Sequence, residues 1–210
     1  MKVGPRHADT TVWVARSGVA RTVSRDFWAP LDPEPWLWWS GRVHETDEDI
    51  AQLQRLLDES DERAGSHLRE VIAAERRLSA RATCDRLVGM RLLALATVSG
   101  DGRPFVGPVD GIFFRGAFHC SSSPDSLRVR HIRARPFVSA THLPSEEFAV
   151  TVHGVAEILD ITAPEHAQLR ETILNIYTPT YGEDWYQFLE ANVVMRIHAR
   201  RMFTFHLESI

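Results

Sequence analysis

Between Arg91 and Asp160 the chain repeats one unit, a short apolar run, a tight turn and another short apolar run. LLALATV leads through Ser99-Gly100-Asp101-Gly102 into PFVGPV, and GIFF and AFHC flank Arg115-Gly116. Short β-prone runs broken by glycine turns make antiparallel hairpins, because glycine supplies the positive φ that two-residue turns demand. The expected strands are Leu92–Val98, Pro104–Val109, Gly111–Phe114, Ala117–Cys120, Phe137–His142 and Phe148–Leu159, with Met202–His206 closing the chain. Pro104 and Pro108 lack an N–H and belong at edge or bulge positions.

Helical patterns surround this region. Thr46 can cap a helix whose apolar face is Ile50, Leu53, Leu56 and Leu57, ending at the polar run Ser60–Gly65. Leu68, Val71 and Ile72 suggest a short second piece, and Ser79 caps a third. Pro164–Tyr177 and Glu183–Glu190 read as later helices. Strands followed by helices in this order give an α+β chain with a barrel core.

The 210 residues are 44% apolar and 25% charged, enough for one domain with a proper core. A net charge of −4 gives no general pull toward nucleic acid or anionic membrane. The ten histidines are scattered, without an HxxxH or HExxH pair, so no zinc site is expected. No run approaches the roughly 20 apolar residues of a membrane span, and no signal-type core opens the chain, so a cytoplasmic protein is expected. Cys84 and Cys120 are then reduced thiols, with Cys120 inside a strand.

Residues 1–42 differ from the rest. Five of the six tryptophans stand at or before Trp39, among Pro5, Pro30, Pro33 and Pro35. The segment reads as a disordered leader, as an arm packing on a partner subunit, or as a start-site artefact preceding Val43. The chain thus divides into this extension, a helical lead-in over 43–90 and a barrel domain over 91–210.

The run Ser121-Ser122-Ser123-Pro124-Asp125-Ser126-Leu127-Arg128 carries the chemistry. Ser123 suits an N-cap and Pro124 the first helical position. Free N–H groups at the helix start, the hydroxyls of Ser121, Ser122 and Ser126, and the Arg128 guanidinium reaching back form a phosphate-sized cradle. The plainer reading is helix capping alone. The Arg128, Arg130, Arg133 and Arg135 series splits across the helix, which fits a solvated face better than a nucleic-acid stripe.

From Leu92 to Leu159, and more loosely over Arg196–His206, the chain resembles the pyridoxamine 5'-phosphate oxidase-like flavin-binding split-barrel family. LATVSGDGRPFVGPV, GAFHCSSSPDSLRVRHIRARP, PFVSATH and VTVHGVAEILD carry the resemblance in order. It implies a six-stranded antiparallel split β-barrel with flanking helices. It also implies FMN, with a deazaflavin as the alternative and haem less favoured by the serine-rich run. By the resemblance, Ser121 or Ser122, Ser126 and Arg128 hold the phosphate. The backbone of Pro108, Val109 and Asp110 runs along the isoalloxazine edge. Leu127 stands where the family often has a second basic residue. The resemblance further implies a homodimer with the cofactor at its interface, approached by Phe205 from the partner subunit. The activity implied is a flavin-dependent oxidoreductase acting on a small molecule, or a non-catalytic flavin-binding module. The ending RRMFTFHLESI lacks the Arg-Leu-x-Pro tail of the vitamin-salvage oxidase, which argues against pyridoxamine phosphate as substrate.

Overall fold

The computed structural model describes residues 44–207, so the readings made for residues 1–42 lie outside the described residues. Helix α1 (Asp47–Glu62) begins with a capping box, in which Thr46 N–H donates to Asp49 at 2.8 Å and Asp49 N–H to the Thr46 hydroxyl at 3.2 Å. Leu53 and Leu57 are buried and Ile50 and Leu56 partly so. The helix outruns its expected end at Ser60. That hydroxyl donates back to Leu56 O at 2.6 Å and accepts the Met202 N–H at 3.0 Å, so this serine is held inside the helix instead of ending it. Helices α2 (Ser66–Val71) and α3 (Ala80–Arg86) follow, and Ser79 caps α3 as expected.

Six antiparallel strands then close a barrel. They are β1 (Met90–Val98), β2 (Pro104–Phe114), β3 (Ala117–Ser122), β4 (Phe137–Ser145), β5 (Phe148–Leu159) and β6 (Val193–His206), in the order β1-β2-β3-β6-β5-β4. Helix α4 (Leu127–Ala134) links β3 to β4, and α5 (Ala167–Tyr181) and α6 (Trp185–Ala191) link β5 to β6. The expected α+β class and six-stranded barrel with flanking helices are what the fold shows.

Two boundaries differ from expectation. Pro104–Val109 and Gly111–Phe114 are one strand, because Asp110 stays extended and pairs across to Leu92. The last strand starts at Val193, well before Met202. Its alternation is hidden by Arg196, His198, Arg200 and Arg201, and by a register shift where His153 pairs with Arg201 but Gly154 pairs with Ala199. A Cβ on Gly154 would stand 2.1 Å from His198 O, so this close approach admits only glycine.

The β2–β3 hairpin turns at Arg115 (φ 51°) and Gly116 (φ 73°), the double positive φ of a two-residue primed turn. The strained Arg115 is tied at both sides, to Asp49 of α1 at 3.3 Å and to Gln168 of α5 at 2.7 Å.

Two apolar clusters result. One fills the barrel and runs out to α1 and α3 through Leu53, Leu57 and Leu87. The other lies outside the barrel wall, where Ile112, Phe114 and Val194 meet Leu169, Ile173, Tyr177 and Leu189 of α5 and α6. Among the described residues no helix is long and apolar enough to cross a membrane.

Candidate functional site

Strand β3 ends at Ser122, and the chain turns before entering α4. The expected N-cap, Ser123, does not cap. Its carbonyl accepts the Ser126 N–H at 3.0 Å, closing a turn, and Ser126 becomes the N-cap, with its hydroxyl accepting the Val129 N–H at 3.2 Å. Pro124 consequently lies in the turn and not at the first helical position. Starting at Ser126 still seats Val129 and Ile132 in the core. The expected cap at Ser123 stands three residues too early, because core phasing selects Ser126.

Around this point Ser122, Ser126, Arg128 and Pro108 come together. The Ser122 and Ser126 hydroxyls lie 3.1 Å apart. Arg128 Nη1 donates to the Ser122 hydroxyl at 3.3 Å and Nη2 to Pro108 O at 2.8 Å. Both guanidinium ends therefore rest on neutral oxygens. The first N–H groups of α4 have no intrahelical partner and carry the positive end of its dipole. Two hydroxyls, a guanidinium and a helix start at one place form an anion cradle.

Strand β2 shapes this cradle. Pairing with β3 covers only Gly111–Phe114, so the stretch before it offers a free edge on that side. Proline is tolerated there, and Arg128 takes the carbonyl that a neighbouring strand would otherwise take. Gly107 leaves room for this, since a Cβ there would stand 3.2 Å from Arg128 Nη2. Gly107 was not singled out from the sequence. The signal was present only as a glycine beside a proline within a strand.

The other expected site residues fall elsewhere. Ser121 turns away from Ser122 and lines a cleft beneath α5 and α6, with Ile112, His119, Tyr177 and Trp185. Val109 is buried in the core. The Asp110 carboxylate lies beside the Tyr177 hydroxyl, and burial followed by this carboxylate raises the Tyr177 pKa. Phe205 pairs with Ala149 on β5, at the far end of β6 from the β3 contact, and does not reach the cradle within one chain.

His119 is fully buried in the cleft. Its Nδ1 lies 3.1 Å from Ala117 O, and burial lowers its pKa to about 3, so it is a neutral imidazole protonated at Nδ1. His142 is packed against Phe148 with Nδ1 2.8 Å from Leu92 O, and His153 lies 2.7 Å from the Ser139 hydroxyl. Neither histidine joins the cradle. Arg103 is exposed and paired with Asp101 at 2.7 Å. Both cysteines are buried free thiols, their pKa values pushed up to about 12 by desolvation. Among the described residues no group of three or more His, Cys, Asp or Glu side chains is placed to hold a metal ion.

No family model and no curated protein matches the chain. Solved structures do. A conserved hypothetical protein from Mycobacterium tuberculosis is 25% identical, with 57% of this chain and 82% of that one covered and a TM-score of 0.47. The haem storage protein HutZ from Vibrio cholerae is 21% identical, covering 57% and 90%, with a TM-score of 0.47. An FAD-binding protein from Mesorhizobium loti is 23% identical, covering 56% and 87%, with a TM-score of 0.44. A haem storage protein, an FAD-binding protein and a putative pyridoxamine 5'-phosphate oxidase are thus among the solved structures that this chain resembles.

Proposed function

We propose that the chain is a flavin-binding split-barrel oxidoreductase whose cradle of Ser122, Ser126 and Arg128 holds the phosphate of FMN. The observation that carries this reading is the convergence on one point of Arg128, two serine hydroxyls and the start of α4. The cradle fits a phosphate dianion. Arg128 can turn its guanidinium from two neutral oxygens to the anion, which forms stronger charge-assisted bonds. The Ser122 and Ser126 hydroxyls supply further donors, and the helix dipole favours negative charge there. Deazaflavin, the second phosphate-bearing candidate, would meet the same groups.

When bound, a flavin supplies the hydride chemistry. The chain's own part is to grip the phosphate and present the outer backbone of Pro108, Val109 and Asp110 along the ring. The Asp110 carboxylate stands beside Tyr177 of α5 at the end of that stretch. We assign the small-molecule substrate to the outer face beside this stretch and hold that it is not pyridoxamine phosphate. The functional unit is a cytoplasmic homodimer with the cofactor at its interface and Phe205 contributed by the partner.

An absorption spectrum of the purified full chain, before and after adding FMN, tests the reading. Oxidised-flavin bands together with saturable FMN uptake are expected. A colourless protein that takes up neither FMN nor a deazaflavin would overturn it.

A further inference from the structure

Next to the candidate cradle, and independent of it, the α5–α6 turn builds a second surface. Gly182 (φ 90°) ends α5 and reverses the chain, so that Trp185 folds back onto the helix it has just left. Trp185 stacks on Tyr177 at 4.8 Å and 2°, on Tyr181 at 4.8 Å and 25°, and on Phe188 at 4.3 Å and 24°. Tyr177 is buried, but Tyr181 is 42% exposed and Phe188 43% exposed, so the stack reaches the surface through these two residues.

Acidic residues predominate beside these rings, although Arg170 of α5 stands close enough to act on the Tyr186 hydroxyl. Residues 181–190, YGEDWYQFLE, hold Glu183, Asp184 and Glu190 and no lysine, arginine or histidine. All three acids are exposed, and Asp110 lies behind Tyr177. The contrast with α4 is plain, where LRVRHIRA carries three arginines and no acid.

We propose that this aromatic shelf binds a planar organic cation of the pyridinium class. Tyr and Trp faces attract cations through their ring quadrupole, a flat ring gains stacking area, and the acidic surround completes the charge match. The ligand lies on the shelf and not beneath it, because the enclosed part of the underlying cleft has room for about one water molecule. The Trp185 indole N–H is buried and has no hydrogen-bond partner, so the indole belongs to the floor of the shelf and the exposed Tyr181 and Phe188 to its rim.

The test is calorimetric titration of the full chain with 1-methylnicotinamide and with its neutral counterpart nicotinamide. Saturable binding of the cation is expected, at least tenfold tighter than the neutral ring. Tyr181→Ala and Phe188→Ala should each weaken the cation about tenfold, whereas Tyr181→Phe should preserve binding. The double variant Glu183→Gln/Asp184→Asn keeps every ring and should weaken the cation severalfold without changing nicotinamide. Arg128→Ala should leave pyridinium binding intact while weakening FMN, which separates failure of this proposal from failure of the flavin reading. Equal affinity for the two probes, or no loss in ring variants that melt normally, would overturn the proposal. So would ring variants that convert a dimer to monomers without changing pyridinium affinity, which would make the shelf a subunit contact.

Discussion

Individual side chains in the cradle have separable duties. Arg128 is expected to contribute about 1.5–3 kcal/mol to FMN binding, the range for hydrogen bonds to charged groups, so Arg128→Ala should weaken a flavin titration by one to two orders of magnitude. Ser122→Ala should cost on the order of 1 kcal/mol in the same titration with little change in melting. Ser126→Ala differs, because its hydroxyl also caps α4. It should lower thermal stability by about 1 kcal/mol as well, and a combined melting and binding experiment distinguishes the two serines. His119 carries a pH signature. Neutral and buried in the fold with a pKa near 3, it titrates at about 6.5 once unfolded, so below that pH the unfolded chain binds the extra proton. Its contribution is complete above pH 6.5 and declines toward pH 3, by up to about 1.4 kcal/mol per pH unit. Denaturant titrations at pH 7, 6, 5 and 4 should therefore show a shallower acid loss in His119→Phe than in the parent. Ser122, Ser126 and Arg128 were legible as neighbours because they cluster around one helix start, whereas Ser121, equally polar, turns to the cleft beneath α5 and α6. Tyr177 and Asp110 were not legible as a pair, since their 67-residue separation leaves no local pattern.

At the scale of elements, the hairpins were the most readable features, because turn chemistry is local. Arg115-Gly116 turned the chain where the sequence placed it. Strand β6 was read only at its end. Its bulge at Arg200 breaks the alternation on which strand reading depends, and its charged residues belong to an outer wall facing solvent. Gly154 makes that region testable. Gly154→Ala should force a Cβ into His198 O, where backbone must move, at a cost of about 1–3 kcal/mol visible as a lowered melting temperature. Gly107→Ala crowds only the flexible end of Arg128, so it should leave melting nearly unchanged and act on cofactor affinity. The start of α4 shows the limit of local rules. Ser123-Pro124 is as good a helix opening as Ser126, and only the barrel decides between them.

For the whole molecule, the outer wall of β1, β2 and β4 leaves apolar side chains uncovered. Leu92 is 62% exposed, Val106 70% and Leu143 63%. Cross-strand pairing sets Leu92 beside Asp110, and Ala94 beside both Pro108 and Thr141, so this wall adjoins the β2 stretch assigned to the flavin ring. A contiguous apolar wall of this kind suits burial against another copy. The proposed homodimer predicts that Val106→Glu gives monomers in sedimentation and weakens flavin retention, whereas a charge added on exposed α1 does neither. The sequence could not show this wall, because exposed and buried residues of a strand look alike until the register is known.

The strand pairing also divides the barrel mechanically. Strands β1 and β2 share nine paired positions and β5 and β6 share twelve. The seams joining the two halves are short, three positions between β1 and β4 and four between β3 and β6, and the β2–β3 ladder within one half also has only four. Few ladder bonds there mean little local resistance to opening, so native-state hydrogen exchange should release the amides of the two seams before those in the centre of β5. The same division makes α4 a tether between two half-shells, with its first residue at the cradle and its last just before β4. An anion gripped at that first turn would brace the tether, and the seam amides should then exchange more slowly when flavin is bound.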